Sequence, residues 1–367
     1  MANINLDSIT PSNAVHPGII LKDALDNRGM SQKELADAVG KSTPVINDII
    51  KGKRGINAEL AVLLESALGV KAEEWMNYQS QYDLDRARSN GEIERRRTVI
   101  SDWQRIKPLL KMTKLKKAIT LTGDLFSDVH CIYEYAGVSN IDDFEHMFSQ
   151  KESMFRKSDK VQVDMQNLFT WILIVRHLSN ATNIAAPFDK ERMPELIGKL
   201  NDLFYINRDV ELQIPDLLSS FGIKYVQQEH FEKVPVDGYS FWNGDNPTLV
   251  LTKRYNRIDN FAYTLMHELG HISLHLSADR NADFLDTEDT DLNKGREEEA
   301  DRYAKRQLCR GMNLEGYFAK WRNPYAAGNF LKSLSEQTHI NVSIITGQYQ
   351  HFCQSYTICR NLLEKVQ

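Results

Sequence analysis

Apolar positions recur at helical spacing along most of this chain. Near the N-terminus, apolar residues three or four apart, punctuated by glycines, predict four short helices between Pro17 and Leu68. Residues 118–210 continue the helical pattern, and Met165–Val175 is apolar on several faces, which indicates a buried helix. A further apolar stripe surrounds His267, and another follows Glu297. The pattern therefore predicts a predominantly helical chain with distinct N-terminal and C-terminal regions.

The N-terminal helices are expected to form a helix-turn-helix. Ser31–Glu34 is a capping box that opens a short helix, which Gly40 ends. The next helix begins near Ser42, has Pro44 in its first turn and ends before Gly52. Two short helices joined by a tight turn with glycine define this motif. Its core is expected to contain eight apolar residues: Val15, Leu21, Leu25, Leu35, Val39, Ile46, Ile49 and Leu64.

The second helix of such a motif enters the major groove of double-stranded DNA. Its candidate base-reading residues are Ser42, Thr43, Pro44 and Asn47. The candidate phosphate contacts, which position the module without reading sequence, are Lys41, Lys51, Lys53 and Arg54. Residues 1–80 hold 8 Lys and Arg against 10 Asp and Glu, a weak electrostatic footprint that suits a protein-binding bundle instead. The order of the helix signals favours DNA.

This region resembles a known family. The resemblance covers about His16 to Arg88 and is to HigA-type antitoxins of the Cro/C1 (XRE) repressor class. The residues that carry it are His16–Gly18, Gly29–Gln32, Gly52–Arg54, Leu68–Val70, Trp75 and Gln81–Asp83. The resemblance implies a helical module that dimerises on a palindromic operator. It also implies a RelE-like ribonuclease toxin as a candidate partner.

The strongest chemical signal is the pentapeptide from His267 to His271, which has the form His-Glu-x-x-His. On a helix, residues four apart share one face, so both imidazoles can bind one metal ion. Glu268 can then act as general base on water at that ion. Because motifs of five residues also occur by chance, the alternative is a helix with two surface histidines and a solvated Glu.

A zinc hydrolase of this type needs a third protein ligand. A second predicted helix supplies three consecutive candidates, Glu297, Glu298 and Glu299. Glu299 precedes Tyr303 by four residues and borders the inward stripe of that helix, so we predict it as the ligand. Glu297 borders the other flank and is the second choice, whereas Glu298 points away. The alternative is a solvated helix N-terminus, where carboxylates suit the helix dipole.

The region from about Val210 to Ile345 resembles the ImmA/IrrE family of metallopeptidases. The resemblance rests on Thr264–His275, on the Glu-Ala-Asp-Arg-Tyr-Ala run from Glu299, and on three strand-like segments. These segments are Gly222–Val226, Gly238–Trp242 and Pro247–Thr252. The family implies a gluzincin-like zinc site with two His ligands, one Glu ligand and Glu268 as base. One departure is Leu308–Met312, where the family has an apolar, often proline-containing stretch.

The sequence leaves open the roles of several residues near the His267–His271 motif. Tyr239, Tyr255 or Tyr263 could supply an oxyanion donor, and the sequence does not rank them. His275 shares the face of the two histidine ligands, and we expect it to support them or cap the helix rather than to bind metal. The polar, acidic stretch Asp279–Lys294 predicts a mobile surface loop between the two metal-binding helices.

Composition limits the class of protein. A 42% hydrophobic and 26% charged content is ordinary for soluble globular proteins, and no apolar run reaches bilayer-spanning length. The N-terminal residues lack a signal-peptide pattern, and the four cysteines lack CxxC spacing, so we expect a cytoplasmic protein with reduced thiols and no membrane partner. The segment from Asp85 to Lys117 contains 11 basic residues and 4 acidic ones. That segment predicts either added phosphate affinity or a solvated connector helix.

Together these patterns predict a multidomain chain: an all-α helix-turn-helix bundle and a helical linker region, then an α+β gluzincin-like metallopeptidase domain with a small sheet. The expected domains are 1–84, a basic connector at 85–117, a helical region at 118–209 and the metallopeptidase domain at 210–367. The leading hypothesis is a homodimeric DNA-binding regulator that binds Zn²⁺ and cleaves a regulatory protein such as a repressor. The alternative is an antitoxin or repressor whose His-Glu-x-x-His domain is a metal-stabilised sensor or partner-binding module without peptidase activity.

Overall fold

A computed structural model of the chain describes residues 14–156, 163–252, 256–280, 282–286, 294–321 and 327–367. The chain divides into two compact units, residues 1–101 and 102–367. The fold is multidomain and mostly helical, with one small mixed sheet in the second unit, as predicted. The finer boundaries at residues 84, 117 and 209 stay predictions.

The first unit consists of helices, and the predicted caps define its turns. Ser31 accepts a hydrogen bond from the Glu34 backbone N–H at 3.2 Å, and the Glu34 carboxylate accepts one from the Ser31 backbone N–H at 2.8 Å. Gly40 has a φ of +63°, a left-handed conformation that glycine adopts without strain. The helices are α1 (Pro17–Arg28), α2 (Gln32–Ala38), α3 (Thr43–Ile50), α4 (Ala58–Leu68), α5 (Ala72–Arg88) and the first part of α6 (Gly91–Ile106).

The core of this unit contains seven of the eight residues predicted for it. Leu21, Leu35 and Ile46 are fully buried. Val15 is the exception: it precedes α1 and is 55% exposed. The core also includes Trp75, which lies on α5 beyond the four helices predicted from the pattern.

A glycine brings the start of α1 against the end of α3. A Cβ at Gly18 would overlap the carbonyl group of Ile49, so only glycine fits this approach. His16 caps α1 by accepting a hydrogen bond from the Gly18 backbone N–H at 2.9 Å, and its ring packs edge-on against Tyr82. The His16–Gly18 signature therefore has a structural role: it fixes α3 against α1.

The second unit contains the remaining helices and a four-stranded sheet. Its helices are α7 (Met112–Ala118), α8 (Leu125–Ala136), α9 (Ile141–Arg156), α10 (Met165–Ala181), α11 (Met193–Ile206), α12 (Val210–Ser220), α13 (Ile258–His271), α14 (Lys294–Leu308), α15 (Leu314–Phe318), α16 (Ala327–Thr338) and α17 (Val342–Phe352). Its strands are β1 (Lys224–Gln227), β2 (Gly238–Asn243), β3 (Asn246–Leu251) and β4 (Asp283–Asp286).

The strand order is β1-β3-β2-β4, with β1 parallel to β3 and the other pairs antiparallel. The first three strands fall where the sequence predicted them. Helix α10, predicted as buried, packs on this sheet: Trp171 and Val175 share an apolar cluster with Tyr239 of β2 and Val250 of β3. Within the part of the chain that the structure describes, no helix combines the length and apolarity needed to cross a membrane.

The stretch Asp279–Lys294 departs from the prediction of a loop. Residues 283–286 form β4, which pairs with β2 at the edge of the sheet, whereas residues 281 and 287–293 lie outside the described residues. The polar composition concealed this strand because its first side chain, Asp283, is held by charged partners rather than by apolar packing.

Candidate metal centre and nucleic-acid interface

The His-Glu-x-x-His motif lies on a helix, as predicted, and occupies the C-terminal end of α13. His267, Glu268 and His271 are buried there, with exposures of 3% or less. The helix continues after His271 as a π-helical turn, Ile272–Leu276, which carries His275. Such turns are rare and are often found at functional sites.

Three side chains converge at this point. The Nε2 atoms of His267 and His271 are 3.0 Å apart. One carboxylate oxygen of Glu297, on α14, lies 3.1 Å from the first and 3.3 Å from the second. Burial lowers the pKa of His271 below its ordinary value, although the Glu297 carboxylate opposes this effect. A neutral ring is the form that binds metal.

The third member of this cluster is Glu297 and not Glu299, the first choice from the sequence. Glu299 Oε2 lies 3.0 Å from His275 Nε2, and its side chain is 51% exposed. Both carboxylates border the face of α14 that packs on α13, but on opposite flanks. Glu297 lies on the flank of His267 and His271, whereas Glu299 lies on the flank of His275. Glu298 is exposed, as expected.

The three donors fit a zinc ion by distance and chemistry. A tetrahedral ion with bonds of about 2.0–2.1 Å has its donor atoms about 3.3 Å apart. The observed separations of 3.0, 3.1 and 3.3 Å are close to that value. Two imidazoles and one carboxylate are also a ligand set that leaves a fourth position open for water in catalytic zinc sites.

His275 and Asp301 contact the Nδ1 atoms of His271 and His267, the ring nitrogens opposite the cluster. His271 Nδ1 lies 3.1 Å from His275 Nδ1, so His275 contacts a candidate ligand rather than joining the cluster. His267 Nδ1 lies 3.0 Å from Asp301 Oδ1. A carboxylate in this position orients a ligating histidine and fixes its tautomer. Asp301 was not predicted from the sequence, although it follows Glu297 by four residues and so shares its helix face.

Two of the three candidate oxyanion donors, Tyr263 and Tyr239, have other hydrogen-bond partners. The Tyr263 hydroxyl donates to Asp301 at 2.6 Å. The Tyr239 hydroxyl donates to Asp283 at 2.8 Å and is fully buried. Burial, partly opposed by the nearby Arg176, raises the pKa of Tyr239 above its ordinary value. Tyr255 lies outside the described residues.

Glu268 lies against β2. The Ser240 hydroxyl donates a hydrogen bond to Glu268 Oε2, and the glutamate side chain is fully buried. A Cβ at Gly238 would overlap the Glu268 carboxylate, so glycine makes room for it. Two residues of β2 thus set the position of the candidate base.

Substituting Gly238 with Ala is expected to destabilise the second unit. The added methyl group would meet the Glu268 carboxylate and force either side chain or strand to shift, and overpacking of this kind costs about 1–3 kcal/mol. Urea unfolding of the variant beside wild type measures the cost. Gly198→Ala is the matched control: it lies on α11 with open space around its Cβ and should be neutral or stabilising. Equal stability of Gly238→Ala and wild type would contradict the assigned contact.

Gly270 brings α13 and α14 close together. A Cβ there would lie 3.2 Å from the Ala300 Cα atom and 3.2 Å from a ring carbon of Tyr303. Ala300 is fully buried. Small residues on both helices therefore set the short separation that brings Glu297 to the two histidines.

The candidate DNA-contacting residues lie just before α3, within it and in the turn after it. Ser42, Thr43 and Pro44 are exposed, and Asn47 is half-buried. Lys51, Lys53 and Arg54 are exposed as well, which suits phosphate contacts. Lys41 differs because its ammonium group lies 2.9 Å from the carboxylate of Glu59.

Two family models match the chain. The one described as helix-turn-helix covers residues 21–75, and the one described as IrrE N-terminal-like domain, of the peptidase M78 family, covers residues 219–308. The second range includes His267, Glu268, His271, Glu297 and Asp301.

Three known proteins are similar to part of this chain. Virulence-associated protein I of Dichelobacter nodosus is 41% identical over 75 residues, which are 20% of this chain and 69% of that protein. The uncharacterized HTH-type transcriptional regulator YddM of Escherichia coli K12 is 26% identical over 90 residues, which are 24% of this chain and 96% of that protein. The solved structure of Pseudomonas aeruginosa antitoxin HigA with the higBA promoter is 40% identical and covers 21% of this chain and 85% of its own, with a TM-score of 0.21.

The motifs, the fold and the family models define a helix-turn-helix protein joined to a metallopeptidase-type domain. The chain belongs to the XRE-type helix-turn-helix family and carries an IrrE N-terminal-like domain in the same polypeptide.

Proposed function

We propose that this chain is a DNA-binding regulator with a zinc-dependent peptidase domain that cleaves a regulatory protein. The observation that carries the proposal is the cluster of His267, His271 and Glu297, whose donor atoms lie within 3.3 Å of one another. Glu268 directly follows His267 in the chain. Elemental analysis of the purified protein, in parallel with His271→Ala, tests the metal. Equal zinc content in both proteins would refute the site.

Each side chain has a distinct role in this proposal. His267, His271 and Glu297 hold the zinc, which when bound acts as a Lewis acid and lowers the pKa of water in the site. Glu268 accepts the proton of the attacking water and passes it to the leaving amine. Asp301 accepts a hydrogen bond from His267 Nδ1, so that the ring proton is on Nδ1 and the lone pair that binds the metal is on Nε2.

The burial of the Glu268 carboxylate favours a second candidate function. This carboxylate accepts a hydrogen bond from Ser240, an arrangement that also suits a stable module without turnover. In that case the chain is a repressor or antitoxin whose metal-binding domain senses a signal or binds a partner, for example a RelE-like toxin. Incubation of the zinc-loaded protein with the products of neighbouring genes separates the two functions, because only the peptidase yields fragments.

The helix-turn-helix is proposed to bind double-stranded DNA sequence-specifically through residues 16–80, as a dimer on a two-fold site. Its exposed residues at the start of α3 carry this part of the proposal. Footprinting of the intact protein and of a chain lacking residues 1–80 on its own promoter compares the two directly. Identical protection would show that the module binds protein instead.

Two substitutions are expected to separate base reading from phosphate contact. Asn47→Ala should relax specificity at one or two base pairs because it removes a candidate base contact. Lys53→Ala should weaken all sequences about equally and lower the salt slope by about 1. Binding titrations over a set of single-base operator variants at several salt concentrations measure both effects.

The control for these titrations is Lys71→Ala, an exposed lysine that precedes α5 and lies outside α2 and α3. It should leave both affinity and salt slope unchanged. A uniform loss with Asn47→Ala, or a base-specific loss with Lys53→Ala, would reverse the roles assigned to the two residues.

A further inference from the structure

A cluster of charged side chains anchors the first residue of β4. The Asp283 carboxylate lies 2.9 Å from the Lys151 ammonium of α9 and 3.2 Å from the Arg176 guanidinium of α10. It also accepts a hydrogen bond from the Tyr239 hydroxyl of β2 at 2.8 Å. The side chains of Lys151 and Arg176 are only 10% and 19% exposed.

The Asp283 carboxylate is ionised in this cluster. Burial alone would raise the pKa of Asp283, but the charges of Lys151 and Arg176 outweigh it and lower the pKa to about 2. The carboxylate is therefore charged at neutral pH. A strand of four residues at a sheet edge has few backbone hydrogen bonds of its own, so side-chain contacts such as these ion pairs help to hold it in place.

The next residue of β4 contacts a candidate metal ligand. The Phe284 ring stacks on the imidazole of His271 with centroids 4.5 Å apart and an interplanar angle of 10°. Phe284 is 1% exposed and pairs across the sheet with Ser240, the residue that donates to Glu268. A displacement of β4 would therefore release one face of His271.

We propose that Asp283, held by Lys151 and Arg176, is a positioning residue for the metal centre: it seats β4 so that Phe284 fixes the ring of His271. The inference rests on the proposed zinc site. It gives helices α9 and α10 a role in that site, although both lie outside residues 219–308, the range of the peptidase family match.

Lys151 offers the cleanest test. Among the described residues, its ammonium donates two hydrogen bonds to Asp283, whereas Arg176 also bonds Tyr239 and lies over the Phe241 ring. Lys151→Met keeps the length of the side chain and removes the charge, and Lys151→Arg keeps the charge. Phe284→Leu removes the ring stack and leaves the ion pairs in place. The control is Lys199→Met, which removes an exposed ion pair with Glu195.

The measurements are Zn²⁺ affinity of the full-length protein, by competition with a chromogenic chelator, and the visible absorption spectrum after Co²⁺ substitution. Lys151→Met and Phe284→Leu should each weaken Zn²⁺ binding roughly 10- to 100-fold, the usual cost of losing a group that orients a ligand. Both should alter the Co²⁺ spectrum. Lys151→Arg and Lys199→Met should stay within threefold of wild type.

Two results overturn the inference in different ways. If wild type binds zinc but Lys151→Met and Phe284→Leu keep its affinity and the Co²⁺ spectrum, β4 has only a structural role and the proposed function stands. If wild type binds no zinc, the proposed function fails and the inference fails with it. Phe284→Leu decides the matter if the lysine variant does not fold.

Discussion

Replacing Glu268 with Gln is expected to lower peptidase activity roughly 10²- to 10⁴-fold, the usual contribution of a general base. Gln retains the shape of the side chain and an oxygen that accepts the Ser240 hydrogen bond, so the fold and the contact with β2 should persist. The two histidines and Glu297 are untouched, so zinc content should remain that of wild type. Cleavage rates of an identified protein substrate and elemental analysis of the same samples measure both.

The matched control is Glu298→Gln, which makes the same chemical change at an exposed position one residue from Glu297. It should cleave at the wild-type rate. Activity of Glu268→Gln within threefold of wild type would show that another group accepts the proton. Cleavage that persists after zinc removal by a chelator would point to a contaminating protease.

Replacing Glu297 with Ala is expected to abolish tight zinc binding, whereas Glu299→Ala should lower affinity only about tenfold, the lower end of the usual cost of losing a supporting group. Glu297 Oε2 lies within 3.3 Å of both ligand nitrogens, so its loss removes a direct donor. Glu299 reaches the cluster only through His275, which in turn contacts His271. Zn²⁺ titration in the presence of a competing chelator resolves the difference between the two variants.

This comparison is decisive because the two residues are chemically identical and two positions apart. If Glu299→Ala loses zinc and Glu297→Ala retains it, Glu299 is the third ligand, as first predicted from the sequence. Loss in both variants would mean that the helix start as a whole, rather than one carboxylate, controls the site. Thermal unfolding of both apo variants checks that each remains folded.

Features encoded by neighbouring residues could be predicted from the sequence. The capping box at Ser31 and the left-handed Gly40 determine where α2 begins and ends, because both act within one helical turn. The two histidines of α13 are four residues apart, so any helix brings them together. The prediction that Val15 is buried was wrong because this residue lies before α1, where no helical repeat fixes the direction of its side chain.

Features that depend on how elements meet could not be predicted in the same way. The choice between Glu297 and Glu299 depends on which flank of α14 faces His267, and that follows from the close approach at Gly270. The sequence does contain a signal, since Glu297 precedes the buried Ala300, Ala304 and Leu308 by three, seven and eleven residues. Strand β4 depends on Lys151 and Arg176, more than 100 residues away in the chain, so no local pattern marks it.

The close packing of α13 against α14 at Gly270 has a consequence for folding. Two candidate ligands come from one helix and the third from the other, so an ion bound there would act as a cross-link between chain positions 271 and 297. An ion that binds only the folded chain stabilises it, by about 4 kcal/mol when its free concentration is 1,000 times its dissociation constant. Metal supply would then control the lifetime of the folded domain as well as its chemistry, and starvation for metal would expose the domain to degradation.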